Sequence, residues 1–333
     1  MKVLVSTSPF GAIDRRPREL LEAAGISYTV NTYGRKMRED ELAELIPDVD
    51  VLIAGTEQIS NVVLTKANKL RLICRVGIGL DSVDLIEAER KGVRVSYTPD
   101  APSAAVVDLT LGMMFSLMRS THLANLKMHE GQWTRFFGKR LVESTIGIIG
   151  VGRIGSKVTD SLVNLGCKEI LLHDLERKAA WQNKENVTWA SKDQILGMAD
   201  LVSVHVPRTV DTVGMIGARE IALMKDDSFL VNTARGGIVD EDALAEALIG
   251  NKLAGAAVDV FESEPYSGKL TEIDQCFLTS HMGSMSLDCR ARMEIEATEE
   301  AERWIKGAAL RQPVPDFEYE MRRVEQRESN KHG

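Results

Sequence analysis

The chain has 333 residues, 44% of them apolar and 27% charged, with a formal net charge of −8 and an isoelectric point near 5.4. That length is large for one hydrophobic core and points to two domains of an ordinary soluble protein. The acidic balance argues against a nucleic-acid or anionic-membrane surface, and Cys74, Cys167, Cys276 and Cys289 are too scattered for a disulfide framework or a zinc site.

Residues 1–98 alternate short apolar runs with amphipathic stretches. Strands are predicted over 3–5, 28–30, 51–53, 72–74 and 93–95. Helices are predicted over 17–24, 41–46 and 83–91, the first with Pro17 in its opening turn and Gly25 after its end. Strands alternating with helices imply a parallel sheet covered on both faces. The first ten residues contain too short an apolar run for a signal peptide. The most apolar segment, 104–118, is interrupted by Asp108 and is too short to cross a bilayer. A cytoplasmic location is expected.

Residues 97–103, with two prolines, read as a linker. Ser103 can cap one long helix running to about residue 129. It is apolar on most faces, so it must be buried in a core or a subunit interface. The aromatic segment Trp133, Phe136 and Phe137 follows it. Together they predict a homodimer joined through this half of the chain, because such a surface left exposed risks aggregation.

Residues 145–174 carry the clearest signal. Ile146, Ile148 and Ile149 form a strand, and Gly150, Gly152 and Gly155 give G-x-G-x-x-G. Ile154, Val158, Leu162 and Leu165 follow at helical spacing, then Ile170, Leu171 and Leu172 form a second strand closed by Asp174. Strand, glycine turn, helix, strand and acid are the parts that hold a dinucleotide. The first glycine allows the turn, the second lets backbone N–H groups reach the pyrophosphate, and the third lets the helix pack close. Asp174 lies 174 − 155 = 19 residues past the last glycine, placed for the adenosine ribose. A 2′-phosphate would meet its charge, and Arg177 is the nearest cation, so NAD is expected rather than NADP.

Further strands are predicted over 201–206, 229–232, 255–260 and 276–280, with helices over 241–249 and 287–306. Residues 316–333 are charged and weakly patterned, as in a mobile tail. Three strand ends concentrate polar residues: N-T-A-R-G-G-I-V-D with Arg235, A-V-D-V-F-E-S-E-P with Asp259, Glu262 and Glu264, and T-S-H-M-G-S with His281. In open α/β sheets ligands bind at such ends. Arg235 would grip a substrate carboxylate. His281 would move a proton to or from the substrate oxygen. One of the glutamates behind it would orient it and favour its charged form, while the nicotinamide carries the hydride. Spacing alone does not choose between Glu262 and Glu264. Arg15, Arg16 and Arg18 are either solvated or readers of an anionic substrate tail.

These residues resemble the D-isomer-specific 2-hydroxyacid dehydrogenases, of the phosphoglycerate dehydrogenase-like type. The matching stretches are 75–85 (R-V-G-I-G-L-D-S-V-D-L), 146–155, 205–209 (H-V-P-R-T), 232–240, 259–265 and 281–284. The resemblance runs roughly from residue 3 to residue 313. It implies Arg235 as the substrate-binding arginine, Glu264 as the orienting carboxylate and His281 as acid/base. It implies cofactor contacts at Gly150, Gly152, Arg153, Ile154, Gly155, Asp174, Val206, Pro207, Thr212, Thr233, Ala234, Arg235, Asp259, His281 and Gly283, with Asp259 on the nicotinamide carboxamide. It places the substrate carboxylate on backbone N–H groups of Val76 and Gly77, besides Arg235 and His281. No metal is implied.

The implied fold is two Rossmann- or flavodoxin-like, doubly wound parallel-sheet α/β domains with a cleft between them. Residues 1–99 plus 287–315 would form a discontinuous substrate-binding domain, 100–286 the NAD-binding domain, and 316–333 a charged tail. Three departures from the family pattern stand out: Val107-Asp108 in the long helix, Ser284 in place of a second glycine after His281, and Ala54-Gly55-Thr56-Glu57 where phosphoglycerate enzymes carry an Arg and a Ser. The last puts a phosphoglycerate substrate in doubt, and with no regulatory extension after residue 333 serine feedback is not expected. The competing reading is a non-catalytic NAD(H)-sensing scaffold or corepressor of the same fold. Formate or phosphite oxidation ranks lower. The sequence does not name the 2-hydroxyacid or 2-oxoacid.

Overall fold

The structure, a computed structural model, describes residues 1–332. It divides into two compact units, residues 1–102 with 284–333 and residues 103–283.

The first unit opens with five parallel strands: β1 (Lys2–Val5), β2 (Ser27–Val30), β3 (Val51–Ala54), β4 (Leu72–Arg75) and β5 (Arg94–Tyr97), in the order β2-β1-β3-β4-β5. β3 and β4 are buried at every position, as central strands covered on both faces must be. β2, at the edge, alternates exposed and half-buried residues. The connections are α1 (Arg16–Ala23), α2 (Glu39–Leu45), α3 (Asn61–Lys66) and α4 (Leu85–Arg90). Their inner faces close a core that includes Leu4, Leu42, Leu52, Leu64, Ile73 and Leu85. The expected helix at 83–91 starts later because Asp84 caps it, its carboxylate accepting from Glu87 N–H. α3, capped by Ser60, has only six residues, too few for the periodicity to show.

The second unit begins with α5 (Ser103–Arg119) and α6 (Thr121–His129). The single long helix expected here is therefore two. Ser120 sits at φ 50°, which ends α5. Lys139 N–H takes the Met118 carbonyl at 2.8 Å, and a Cβ at Gly138 would stand 2.3 Å from that oxygen, so the returning chain crosses the helix end closely. α5 buries Met113, Met114, Leu117 and Met118 in the unit's core, whereas α6 buries no residue.

There follow β6 (Thr145–Ile149), α7 (Arg153–Asn164), β7 (Glu169–His173), β8 (Val187–Trp189), α8 (Lys192–Met198), β9 (Leu201–Val204), α9 (Ala218–Leu223), β10 (Phe229–Asn232), α10 (Glu241–Ile249), β11 (Gly255–Val258) and β12 (Cys276–Leu278). All seven strands pair in parallel, in the order β12-β11-β10-β9-β6-β7-β8. The order reverses at β6, between β9 and β7, which is where doubly wound sheets bind ligands.

The chain then returns to the first unit. α11 (Leu287–Ile305), capped by Ser286, packs on α1, β3, β4 and β5. Val314 N–H bonds Val95 O at 3.0 Å. The expected tail from 316 is instead α12 (Asp316–His332), folded against α4. Arg323 pairs with Glu89 at 2.6 Å, Arg322 with Asp81 at 3.3 Å, and Tyr319 packs on the core. These anchors lie far away in the chain, so local pattern does not reveal them. The unit boundaries fall after 102 and 283, against the expected 99 and 286. Among the described residues no helix is long and apolar enough to cross a membrane.

Candidate active site

The glycine turn follows β6. Gly150 has φ 93°, and a Cβ there would lie 2.7 Å from Val206 N. At Gly155 a Cβ would lie 1.9 Å from Gly150 O, so the first turn of α7 packs directly on the turn before it. Gly152, the N-cap of α7, has nothing within 4 Å of an added Cβ. That open face, ahead of first-turn N–H groups at the positive end of a helix dipole, suits a diphosphate. Arg153 and Ile154 form the start of the helix, the former exposed and the latter half-buried.

Asp174 ends β7 and reaches back across this turn. Its Oδ2 accepts from Val151 N–H at 2.6 Å and its Oδ1 from Leu175 N–H at 2.7 Å. Lys178 also reaches the turn, donating to Val151 O and to Ser156 Oγ at 3.2 Å. Arg177 is nearer to Asp174 in the chain, and no spacing rule singles out Lys178 instead. Val206 and Pro207 continue from β9, and Thr212 Oγ1 closes their loop by donating to Pro207 O at 2.7 Å. His205 lies beneath the glycine turn, its Nε2 2.9 Å from Ser203 Oγ and its Nδ1 buried with no partner among the described residues. Burial holds its pKa down, to about 4.

The three polar stretches occupy the C-terminal ends of adjacent strands β10, β11 and β12. After β10, Asn232 folds the loop: its amide donates to Arg235 O at 3.0 Å and its carbonyl accepts from Ala234 N–H at 3.1 Å. Thr233 Oγ1 lies 2.8 Å from Thr110 Oγ1 on α5. Arg235, half-buried, donates from Nη1 to Ala234 O at 2.7 Å. A Cβ at Gly236 would stand 1.9 Å from Phe261 C, so this loop rests on the loop after β11.

That second loop carries Glu264, whose Oε1 accepts from Phe261 N–H at 3.1 Å. Its two oxygens lie 3.0 and 2.8 Å from His281 Nδ1. The backbone N–H of Glu262 donates to Glu241 Oε1 at 2.7 Å. The geometry thus pairs His281 with Glu264, a choice that spacing left open. His281 has φ 53°, an uncommon conformation for a non-glycine residue. Asp259, 1% exposed, braces it. Its Oδ1 accepts from Thr279 Oγ1 at 2.5 Å and Met282 N–H at 2.7 Å, its Oδ2 from Gly283 N–H at 2.9 Å, and its backbone O from His281 N–H at 2.8 Å. A carboxylate has about four acceptor positions, so three are spent on the loop. Asp259 thus braces the His281 loop.

Val76 N–H donates to Ala54 O and Gly77 N–H to Thr98 Oγ1, each at 2.8 Å, so both already have acceptors. Arg16 is tied to Asp14, and Arg18 donates from Nε and Nη2 to Phe10 O. All four cysteines are buried free thiols, and burial pushes each upward, Cys74 and Cys276 to about 12.

A doubly wound sheet with a dinucleotide turn, and an Arg, a Glu and a His at adjacent strand ends, defines an NAD-dependent oxidoreductase. The D-isomer specific 2-hydroxyacid dehydrogenase NAD-binding domain matches residues 111–283. Hydroxypyruvate reductase of Thermotoga maritima is 35% identical over 270 residues, 79% of this chain and 87% of that protein. D-3-phosphoglycerate dehydrogenase of Methanocaldococcus jannaschii is 35% identical over 81% of this chain, which spans only 52% of that longer protein. Among solved structures, a Thermus thermophilus protein superposes with a TM-score of 0.86 at 30% identity, covering 95% of this chain and all of the other. D-lactate dehydrogenase from Aquifex aeolicus, complexed with NAD and lactic acid, gives 0.82 at 25%, covering 92% of this chain and 96% of the other. The chain belongs to the D-isomer specific 2-hydroxyacid dehydrogenases and is an NAD-dependent enzyme of that class.

Proposed function

We propose that this chain interconverts a D-2-hydroxyacid and its 2-oxoacid with His281 as the acid/base. The observation that carries this reading is the His281 Nδ1 contact with Glu264, at a strand end two strands from Arg235. Glu264 on Nδ1 fixes the ring and leaves Nε2 for the substrate oxygen. Arg235 holds the substrate carboxylate and polarises the neighbouring carbonyl. Bound nicotinamide supplies or accepts the hydride. As negative charge grows on the carbonyl oxygen during reduction, His281 neutralises it by giving up the Nε2 proton, and in oxidation it takes that proton back. Asp259 acts through Thr279, Met282 and Gly283 to hold His281 in its φ 53° conformation.

The residues that would hold NAD are Gly150, Gly152, Arg153, Ile154 and Gly155 at the diphosphate and Asp174 at the ribose. Val206, Pro207, Thr212, Thr233, Ala234, Arg235, Asp259, His281 and Gly283 would line the remainder. The test is NADH oxidation with a panel of 2-oxoacids. At least one should be turned over; NADH binding with no turnover on any would favour the sensing scaffold.

The same reading includes a homodimer formed through the second unit. Phe115, Leu126, Met128 and Phe136 are exposed on it, and Trp133 and Phe137 are 83% and 105% exposed. Apolar side chains clustered on α5, α6 and the segment after them mark an association surface. Light scattering should give twice the chain mass at micromolar concentration, and a monomer would exclude it.

A further inference from the structure

Val151 lies between Gly150 and Gly152, so the backbone on either side of it has a wide choice of conformations. Contacts must therefore set the direction of its peptide groups. Its side chain is buried in the core of the second unit, which anchors the residue but leaves that direction open.

The direction is set from the end of β7. Gly150 N–H donates to His173 O at 2.8 Å, and Val151 N–H to Asp174 Oδ2 at 2.6 Å. Lys178, four residues past Asp174, donates from Nζ to Val151 O and, at 3.2 Å, to Ser156 Oγ. Ser156 Oγ donates to the same carbonyl at 2.9 Å. One ammonium thus joins the loop after β7, the glycine turn and the start of α7. Lys178 is exposed, so burial does not oppose its charge. A peptide is planar and trans, so the Gly152 N–H points away from Val151 O. With that carbonyl held by Lys178 and Ser156, the N–H is held toward the opposite side. Glycine at 152 would otherwise let this peptide flip. A flip would put a carbonyl oxygen where the N–H had been, and an anion would meet an acceptor instead of a donor.

We propose that Lys178 is a cofactor-positioning residue, which holds the Val151 carbonyl so that the Gly152 N–H stays directed at the diphosphate of NAD(H). Its contribution is to the shape of the turn rather than to the charge around the ligand. This inference rests on the assignment of the diphosphate to the glycine turn.

The test is the binding of NADH, ADP and adenosine to the parent and to Lys178→Met, with ADP and adenosine read by displacement of NADH fluorescence. Titrations in 0.5 M NaCl, where the screening length is below about 5 Å, suppress the effect of simply removing a positive charge. A turn that is competent for only part of the time binds with its affinity reduced by that fraction. Kd for NADH and for ADP should therefore rise about five- to tenfold in Lys178→Met, while Kd for adenosine, which has no diphosphate, stays within about twofold. Unchanged ADP affinity in Lys178→Met, or equal losses for ADP and adenosine, overturns the role of Lys178 and leaves the diphosphate assignment standing. A parent protein that binds ADP no more tightly than adenosine overturns both.

Discussion

The two units end their leading strands in opposite ways. After β6 the chain turns through glycines, and the contacts on offer are backbone N–H groups around open space at Gly152. After β1 it presents buried side chains, Ser6 and Thr7, against Glu57 from the neighbouring strand. Both lie where a parallel sheet reverses its order. A backbone site admits any ligand with a diphosphate and a ribose, so it can stay the same while substrates differ. The same topology thus supplies an open, glycine-lined edge in one unit and an edge filled by buried polar side chains in the other.

The sharpest way to break this contrast is at the strand ends of the second unit. In His281→Asn the side chain still donates a hydrogen bond but has no proton to transfer. The rate should fall on the order of 100- to 10,000-fold, while NADH binding, followed by fluorescence, persists. Retention of near-parent kcat would remove His281 from the proton path.

The glycine turn gives the next largest effect, and two variants separate fold from cofactor. Gly155→Ala sets a methyl carbon 1.9 Å from Gly150 O, so α7 must shift, at a cost of about 1–3 kcal/mol, and NADH affinity should drop with it. Gly152→Ala meets nothing within 4 Å. Alanine is a poorer N-cap than glycine, so stability should fall by about 0.5–1 kcal/mol, and NADH affinity should fall as well if that space belongs to the diphosphate. Calorimetric titration and urea midpoints on both variants decide it. Equal NADH affinity in Gly152→Ala and the parent would show that the open face is not the diphosphate site.

Glu264→Gln should act more mildly than His281→Asn. It keeps a side chain of the same size near His281 Nδ1 but offers one amide oxygen where the carboxylate offers two, so the ring is held less firmly with Nε2 toward the substrate. kcat should fall about tenfold, well short of the His281→Asn loss. An unchanged kcat would assign Glu264 to structure alone.

The same contrast explains what could be read from the amino-acid sequence. Gly150 and Gly155 are required by positive φ and by close approach, so their spacing is forced and visible. Arg235, Glu264 and His281 stand at strand ends that hydrophobic runs already locate. Asp259's role as a brace and the reach of Lys178 depend on loop conformations with no spacing rule. Glu57 looks like a surface acid in sequence and is buried only because β1 and β3 meet. The α12 segment shows the same limit, because its anchors Asp81 and Glu89 lie more than 230 residues earlier.

Histidines divide unevenly between the units, and acid should therefore weaken them unequally. His122, His129, His173, His205 and His281 all belong to the second unit, and the first has only His332. His205 sits under the glycine turn with its pKa lowered by burial to about 4, from 6.5, and burial lowers His122 in the same direction. The unfolded chain therefore binds a proton at His205 as pH drops below 6.5, while the folded chain does not until near 4. Stability is complete above 6.5 and declines through that window. At pH 5.5 the His205 contribution amounts to about 1.4 kcal/mol. Hydrogen exchange at pH 7.5 and 5.5, with rates corrected for intrinsic pH dependence, should show protection falling in β6, β9 and α7 before it falls in β1, β3 and α11. His205→Gln, which cannot titrate, should lose most of that difference. Equal loss in both units, or the same acid sensitivity in His205→Gln, would mean that the buried imidazole is not the group linking this unit to pH.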